Sequence, residues 1–158
     1  MLNRWKSLWG RYFAKSLHMW LSGVTDIPAW LVSRRGAHSP LSDAVPWTTF
    51  KALRWLDRFA KPTHQVWEWG SGGSTVFLAN RVGQLTSIEH DKGWHSDVAA
   101  RLSELPHVDF RLLEPEVAPS STGDVEAFGS GVPEYEGHSF REYVSAIDDV
   151  LLPALTSS

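Results

Sequence analysis

Cysteine is absent from the 158 residues, so disulfides, thiolate metal ligands and a cysteine nucleophile are all excluded. That absence agrees with a cytoplasmic setting. Also missing is a long apolar run: basic residues break up the first twenty positions, and neither a membrane span nor a secretory signal is expected there. No His/Asp/Glu group has metal-ligand spacing, so no metal is expected, and no Ser/His/Asp arrangement stands out. The net charge is only −3, but it is unevenly spread: residues 1–36 sum to +5 and the remainder to −8. An acidic main body argues against a nucleic-acid-binding face, and no nucleic-acid partner is expected.

What is present is a single-domain length with 42% apolar and 21% charged residues, the proportions of a soluble globular chain. Tryptophan is abundant, with nine residues, four of them (Trp5, Trp9, Trp20 and Trp30) in the first thirty. Residues 1–46 read as an N-terminal extension. Within residues 2–21 the apolar positions recur at helical spacing between basic ones, predicting an amphipathic helix. Such a helix either packs on the main domain as a cap, the reading we favour, or lies peripherally on an anionic membrane surface through residues 1–21. Residues 22–46, with Gly23, Pro28, Gly36, Pro40 and Pro46, read as an irregular connector. The main domain, 47–158, opens with Trp47, Phe50, Leu53, Leu56 and Phe59 at helical intervals, a helix expected to cover a sheet.

The stretch 64–91, HQVWEWGSGGSTVFLANRVGQLTSIEHD, organises the rest. A short apolar strand (66–69) leads into the turn Gly70-Ser71-Gly72-Gly73-Ser74-Thr75. A helix over 76–82 follows, then a second strand over 85–88 that ends on Glu89. Glycines let the backbone turn sharply and let a ligand approach the main chain. A carboxylate closing the next strand suits a ribose diol. No lysine follows the glycines, so a phosphate-cradling P-loop is excluded. Glu68, two places before Gly70, would repel a pyrophosphate and attract a cation.

Asp91 is a candidate N-cap for a helix over 93–105, and Trp94 either flanks a ligand or packs on the sheet. The alternation in 107–113 suggests a third strand, so the order predicts a parallel sheet with right-handed crossovers. Residues 114–138 are polar and rich in Gly and Pro, and read as a loop, either disordered or a flap near a substrate site. Ser139 to Glu142 forms a capping-box pattern ahead of a helix through Leu151.

Glu68-Trp69-Gly70-Ser71-Gly72-Gly73-Ser74 resembles the first motif of class I S-adenosylmethionine-dependent methyltransferases, E/D-x-G-x-G-x-G, with Ser74 at the third glycine position. The resemblance implies an α/β, Rossmann-like parallel sheet, partial here with three strands in the order 3-2-1, flanking helices and the N-terminal helical extension. It implies S-adenosylmethionine as cofactor, held by Glu68, Gly70, Ser71, Gly72, Ser74, Thr75, Glu89, His90 and Asp91. Methyl transfer to an unidentified small-molecule or protein acceptor is the implied activity; no residue is nominated as general base. The resemblance spans about 47–150, and the family's later strands are not expected in this chain. It therefore resembles the cofactor-binding half of a longer enzyme, with an unpaired first strand open to self-association. Two other classes stay open: a nicotinamide-dependent oxidoreductase fragment, opposed by Glu68 and by Thr75 where its pattern needs glycine, and a non-catalytic membrane-surface or interaction module.

Overall fold

The computed structural model describes residues 24, 26–28, 31, 39–102, 105–118 and 123–148. The expected helix over 2–21 lies outside the described residues. Two compact units share them: Thr48–Arg58 groups with the chain before Pro40, and Pro40–Trp47 groups with Phe59 onward.

In the first unit, helix α1 spans Phe50–Phe59. Thr49 starts it, its hydroxyl accepting the Ala52 amide at 3.2 Å, which satisfies one of the free N–H groups of the first turn. Trp47 falls outside the helix and is 94% exposed. The expected burial of the helix's apolar face is not found; none of its residues is buried. The expectation of an irregular connector over 22–46 also needs correction, because Val24, Asp26, Ile27, Pro28 and Leu31 have helical backbone. Asp26 accepts from Arg54 at 2.7 Å.

The second unit is built on a parallel three-stranded sheet in the order β1-β2-β3. Strand β1 is Gln65–Trp69, β2 is Gln84–Glu89 and β3 is Val108–Leu112. Helix α2, Gly73–Ala79, connects β1 to β2, and α3, Lys92–Ala99, connects β2 to β3. The fold is therefore α/β and Rossmann-like, with the strand order expected from the sequence.

Strand β2 is central and buried on both faces, with Leu85, Ser87 and Ile88 at 0% exposure. Its buried polar groups are hydrogen-bonded, Ser87 to Glu68 and Glu89 to Ser71. Helix α2 is almost wholly buried, its second half apolar and its one buried hydroxyl, Thr75, hydrogen-bonded. Val98 of α3, at 0% exposure, completes the core. Full burial of Leu85, Ile88 or Val98 stabilises by about 1.5–3 kcal/mol each.

Helix α2 begins at Gly73, three residues before the predicted start, because the turn closes tightly on the second unit's own 40–45 segment. A Cβ at Gly73 would lie 2.1 Å from the Pro40 carbonyl oxygen and 2.2 Å from that of Val45. Only glycine fits that contact. Helix α3 is shorter than predicted, ending near Ala100, where the Arg101 and Leu102 amides still bond to the Val98 carbonyl.

Of the two readings open for 114–138, disorder does not hold for its described residues. Its described residues hold β4 (Glu116–Val117), α4 (Asp124–Phe128), a 3-10 turn at Pro133–Tyr135 and the start of β5 (His138–Ser139). Strands β4 and β5 pair antiparallel. The predicted capping box at Ser139 does not form: Ser139 ends β5, its hydroxyl accepts from the Arg141 amide at 3.3 Å, and α5 spans only Arg141–Ser145. Pairing in a strand takes Ser139 out of the position a helix cap requires.

Candidate functional site

The turn between β1 and α2 lies where the two strand-end carboxylates meet. Gly70 has φ +75°, a backbone region that side-chain-bearing residues rarely adopt. Its amide bonds to the Ile88 carbonyl at 2.9 Å, so the ladder between β1 and β2 runs into the turn itself.

Glu68 sits opposite Ser87 in the β1–β2 register, which puts the two side chains on one face. Glu68 Oε2 accepts from the Ser87 hydroxyl at 2.8 Å and from the Thr75 hydroxyl at 2.7 Å. Thr75, fully buried, also accepts the Gly72 amide at 2.8 Å. The hydroxyl thus ties the start of α2 to the carboxylate of β1. Glu68 Oε1 accepts no hydrogen bond from the described residues.

Glu89 is 3% exposed, and protein donors surround it. Oε2 accepts both the amide and the hydroxyl of Ser71, each at 2.8 Å. Oε1 accepts the His90 amide at 2.8 Å and the Asp91 amide at 3.0 Å. Burial by itself would raise the carboxyl pKa. The amides of Asp91, Ser71 and His90 with the Ser71 hydroxyl outweigh it, and hold the group below its ordinary value. Four donors match the lone pairs a carboxylate offers.

The remaining expected residues lie on the connection from β2 to α3 and in the first turn of α2. Asp91 caps α3, accepting the Trp94 amide at 2.6 Å. His90 places Nδ1 3.1 Å from Glu89 Oε1, out of line for a hydrogen bond. Ser74 lies in the first turn of α2, half-buried. Glu68, Gly70, Ser71, Gly72, Thr75, Glu89, His90 and Asp91 are brought together.

Four neighbours were not among the expected site residues. Ser87 shares Glu68. Gly73 makes the tight turn possible. Trp94, open between two roles on sequence grounds, donates its indole N–H to the Ser71 carbonyl at 2.8 Å. Its ring lies 3.9 Å from where a Gly72 Cβ would be. Tyr143 is the most distant in sequence. Its hydroxyl lies 3.9 Å from where a Gly70 Cβ would be, and its carbonyl accepts the Trp69 indole N–H at 3.1 Å. Burial first, then the charge of Glu89 and more weakly that of Glu68, raise the Tyr143 phenol pKa, against a lowering pull from the Gly70 backbone. A deeply buried serine and a tyrosine far along the chain carry no local motif, so only chain topology reveals them.

Among the described residues no group of three or more His, Asp or Glu is placed to hold a metal ion. No helix among them is long and apolar enough to cross a membrane. No protein-family model and no curated protein matches the chain. Among solved structures, a region covering 40% of this chain is similar to the 23S rRNA methyltransferase ErmE, with 26% identity and a TM-score of 0.33. The match spans 28% of that enzyme's chain.

Proposed function

We propose that this domain binds S-adenosylmethionine and forms the cofactor-binding part of a methyltransferase. The observation that carries the reading is the convergence of two carboxylates on one glycine turn. Glu68 reaches it through Thr75, and Glu89 reaches it through Ser71.

The residues fit the cofactor's chemistry at both ends. At the β1 end, the uncommitted Oε1 of Glu68 would take the ammonium group, and a nearby carboxylate favours the cationic form of such a ligand. At the turn, Gly70 and Gly72 would admit the cofactor to the main chain. At the β2 end, a ribose diol would reach Glu89 in exchange for the Ser71 hydroxyl, which can rotate away while the Ser71 amide stays bonded. Trp94, bonded to the Ser71 carbonyl and close to Gly72, supplies an aromatic face at the turn. When bound, S-adenosylmethionine supplies an electrophilic methyl group for a nucleophile on the acceptor. The chain's own contribution is to position the cofactor and to keep water from its charged end.

Calorimetric titration with S-adenosylhomocysteine tests the reading. Wild type is expected to bind one equivalent, and Glu89→Gln to lose about 1–3 kcal/mol of binding free energy with the charged acceptor. Equal heats from the two proteins would remove Glu89 from the site.

A further inference from the structure

Aromatic residues of the chain's later segment cluster on His90, and one of them, Tyr143, reaches the glycine turn. His90 meets three rings edge-on: Tyr135 at 5.5 Å, Phe140 at 5.4 Å and Tyr143 at 5.4 Å between centroids. Tyr135 and Phe140 also pack on each other at 5.2 Å. All three come from one short stretch, 133–145, and Tyr143 carries it over Gly70. We propose that this stretch is a self-inserted plug: Tyr143, whose hydroxyl stands at Gly70, takes space at the turn that an adenosyl ligand needs, and binding displaces it together with the rings packed on it. The inference rests on the reading of the turn as an S-adenosylmethionine site.

Three observations favour a plug over a fixed wall. Glu89 is 3% exposed with both oxygens engaged by Ser71, His90 and Asp91, so a ribose diol reaches it only after the site rearranges. Two clefts open beside the stretch. One, of about 350 Å³, is lined by His90, Asp91, Glu134, Tyr135 and His138 among others; the other, of about 130 Å³, includes Glu142 and Tyr143. Neither reaches Gly70, Ser71 or Gly72. The ties of the stretch to the rest of the unit are short-range and separable. Strands β4 and β5 share two residue pairs, and the Ala118 amide bonds to the Gly137 carbonyl and the Phe140 amide to the Phe128 carbonyl. Arg141 lies over the Phe128 ring, and the Trp69 indole bonds to the Tyr143 carbonyl. Gly137, just before β5, has φ +76° and open space around it, a place where the backbone can swing.

A protein whose competent form is only a fraction of the total binds more weakly by that same fraction. Loosening the plug should therefore tighten binding. The test is calorimetry and stopped-flow mixing of S-adenosylhomocysteine with the full chain, as wild type and as Tyr143→Ala. Tyr143→Ala is expected to bind about three- to ten-fold tighter. The wild-type association rate is expected to level off with ligand concentration, as opening becomes limiting, and that of Tyr143→Ala to rise linearly. Equal or weaker binding by Tyr143→Ala, beside measurable wild-type binding, would make the rings part of the binding wall and overturn the plug alone. No heat from either folded protein would overturn the adenosyl reading and the plug with it. Should Tyr143→Ala not fold, Tyr143→Phe decides: about two-fold tighter binding is expected from losing the hydroxyl at Gly70, and an unchanged or weaker affinity overturns the proposal.

Discussion

Glu89 holds Ser71 twice, its Oε2 taking the backbone amide and the side-chain hydroxyl of that one residue, each at 2.8 Å. A carboxylate at the end of β2 thereby fixes the conformation of a turn 18 residues earlier. The same group is the proposed ribose acceptor. Structure and binding draw on one side chain, and the two contributions separate by substitution.

Glu89→Ala leaves the amides of Ser71, His90 and Asp91 without their acceptor in a site nearly closed to water. Stability is expected to fall by about 2–3 kcal/mol. Urea denaturation of the two proteins measures it, and a midpoint shift with unchanged slope is the expected form.

Acid should expose the same group. Its pKa is lowered on folding, so its contribution is present above the carboxyl's ordinary value of 4.5 and is lost as pH falls through the lower folded value. Glu89→Gln should flatten that acid limb. Tyr143 has the opposite sense: its pKa is raised, so its contribution holds below 10 and is lost as pH rises through the folded value. Tyr143→Phe should flatten the alkaline limb. Thermal midpoints across pH 3–11 would show both, and unchanged limbs would contradict the assignments.

Thr75 links Glu68 to the start of α2. Thr75→Val keeps the shape and removes the hydroxyl, leaving the buried Gly72 amide without an acceptor; a loss of about 1–3 kcal/mol is expected. Thr75→Ser retains the hydroxyl and should recover most of it. Chemical denaturation of the pair distinguishes a lost hydrogen bond from lost packing, since serine also lacks the methyl.

The sheet and the turn were legible because their signals are local. Three short apolar stretches, glycines at the turn and a closing acid stand in order along 64–112. The helix ends were harder. Helix α2 starts early because Gly73 packs against the Pro40 and Val45 carbonyls, a contact across about thirty residues that no window of sequence contains. Ser139 entered a strand because Val117 and Glu116 lie beside that stretch, which overrode its capping pattern. Tyr143 reached Gly70 through the path of the whole segment after β3. The candidate site was legible where it lies on β1 and β2, and hidden where distant segments fold over it.

Gly73→Ala places a methyl about 2 Å from two backbone carbonyl oxygens, which no rotamer can relieve. Destabilisation of about 3 kcal/mol or more is expected, at the upper end of overpacking costs. Gly131→Ala, with open space at the corresponding position, should change stability by no more than about 0.5 kcal/mol. Denaturation midpoints of the two variants make the comparison, and similar losses from both would contradict the packing argument.

The most direct test of the paired-carboxylate claim is equilibrium dialysis of radiolabelled S-adenosylmethionine against wild type and Glu68→Gln, with and without excess NADH. The account predicts saturable retention by wild type, undiminished by NADH and weakened about ten-fold or more in Glu68→Gln, as expected when a partly desolvated opposite charge is removed. No retention by the folded wild type, or retention abolished by NADH, would contradict it.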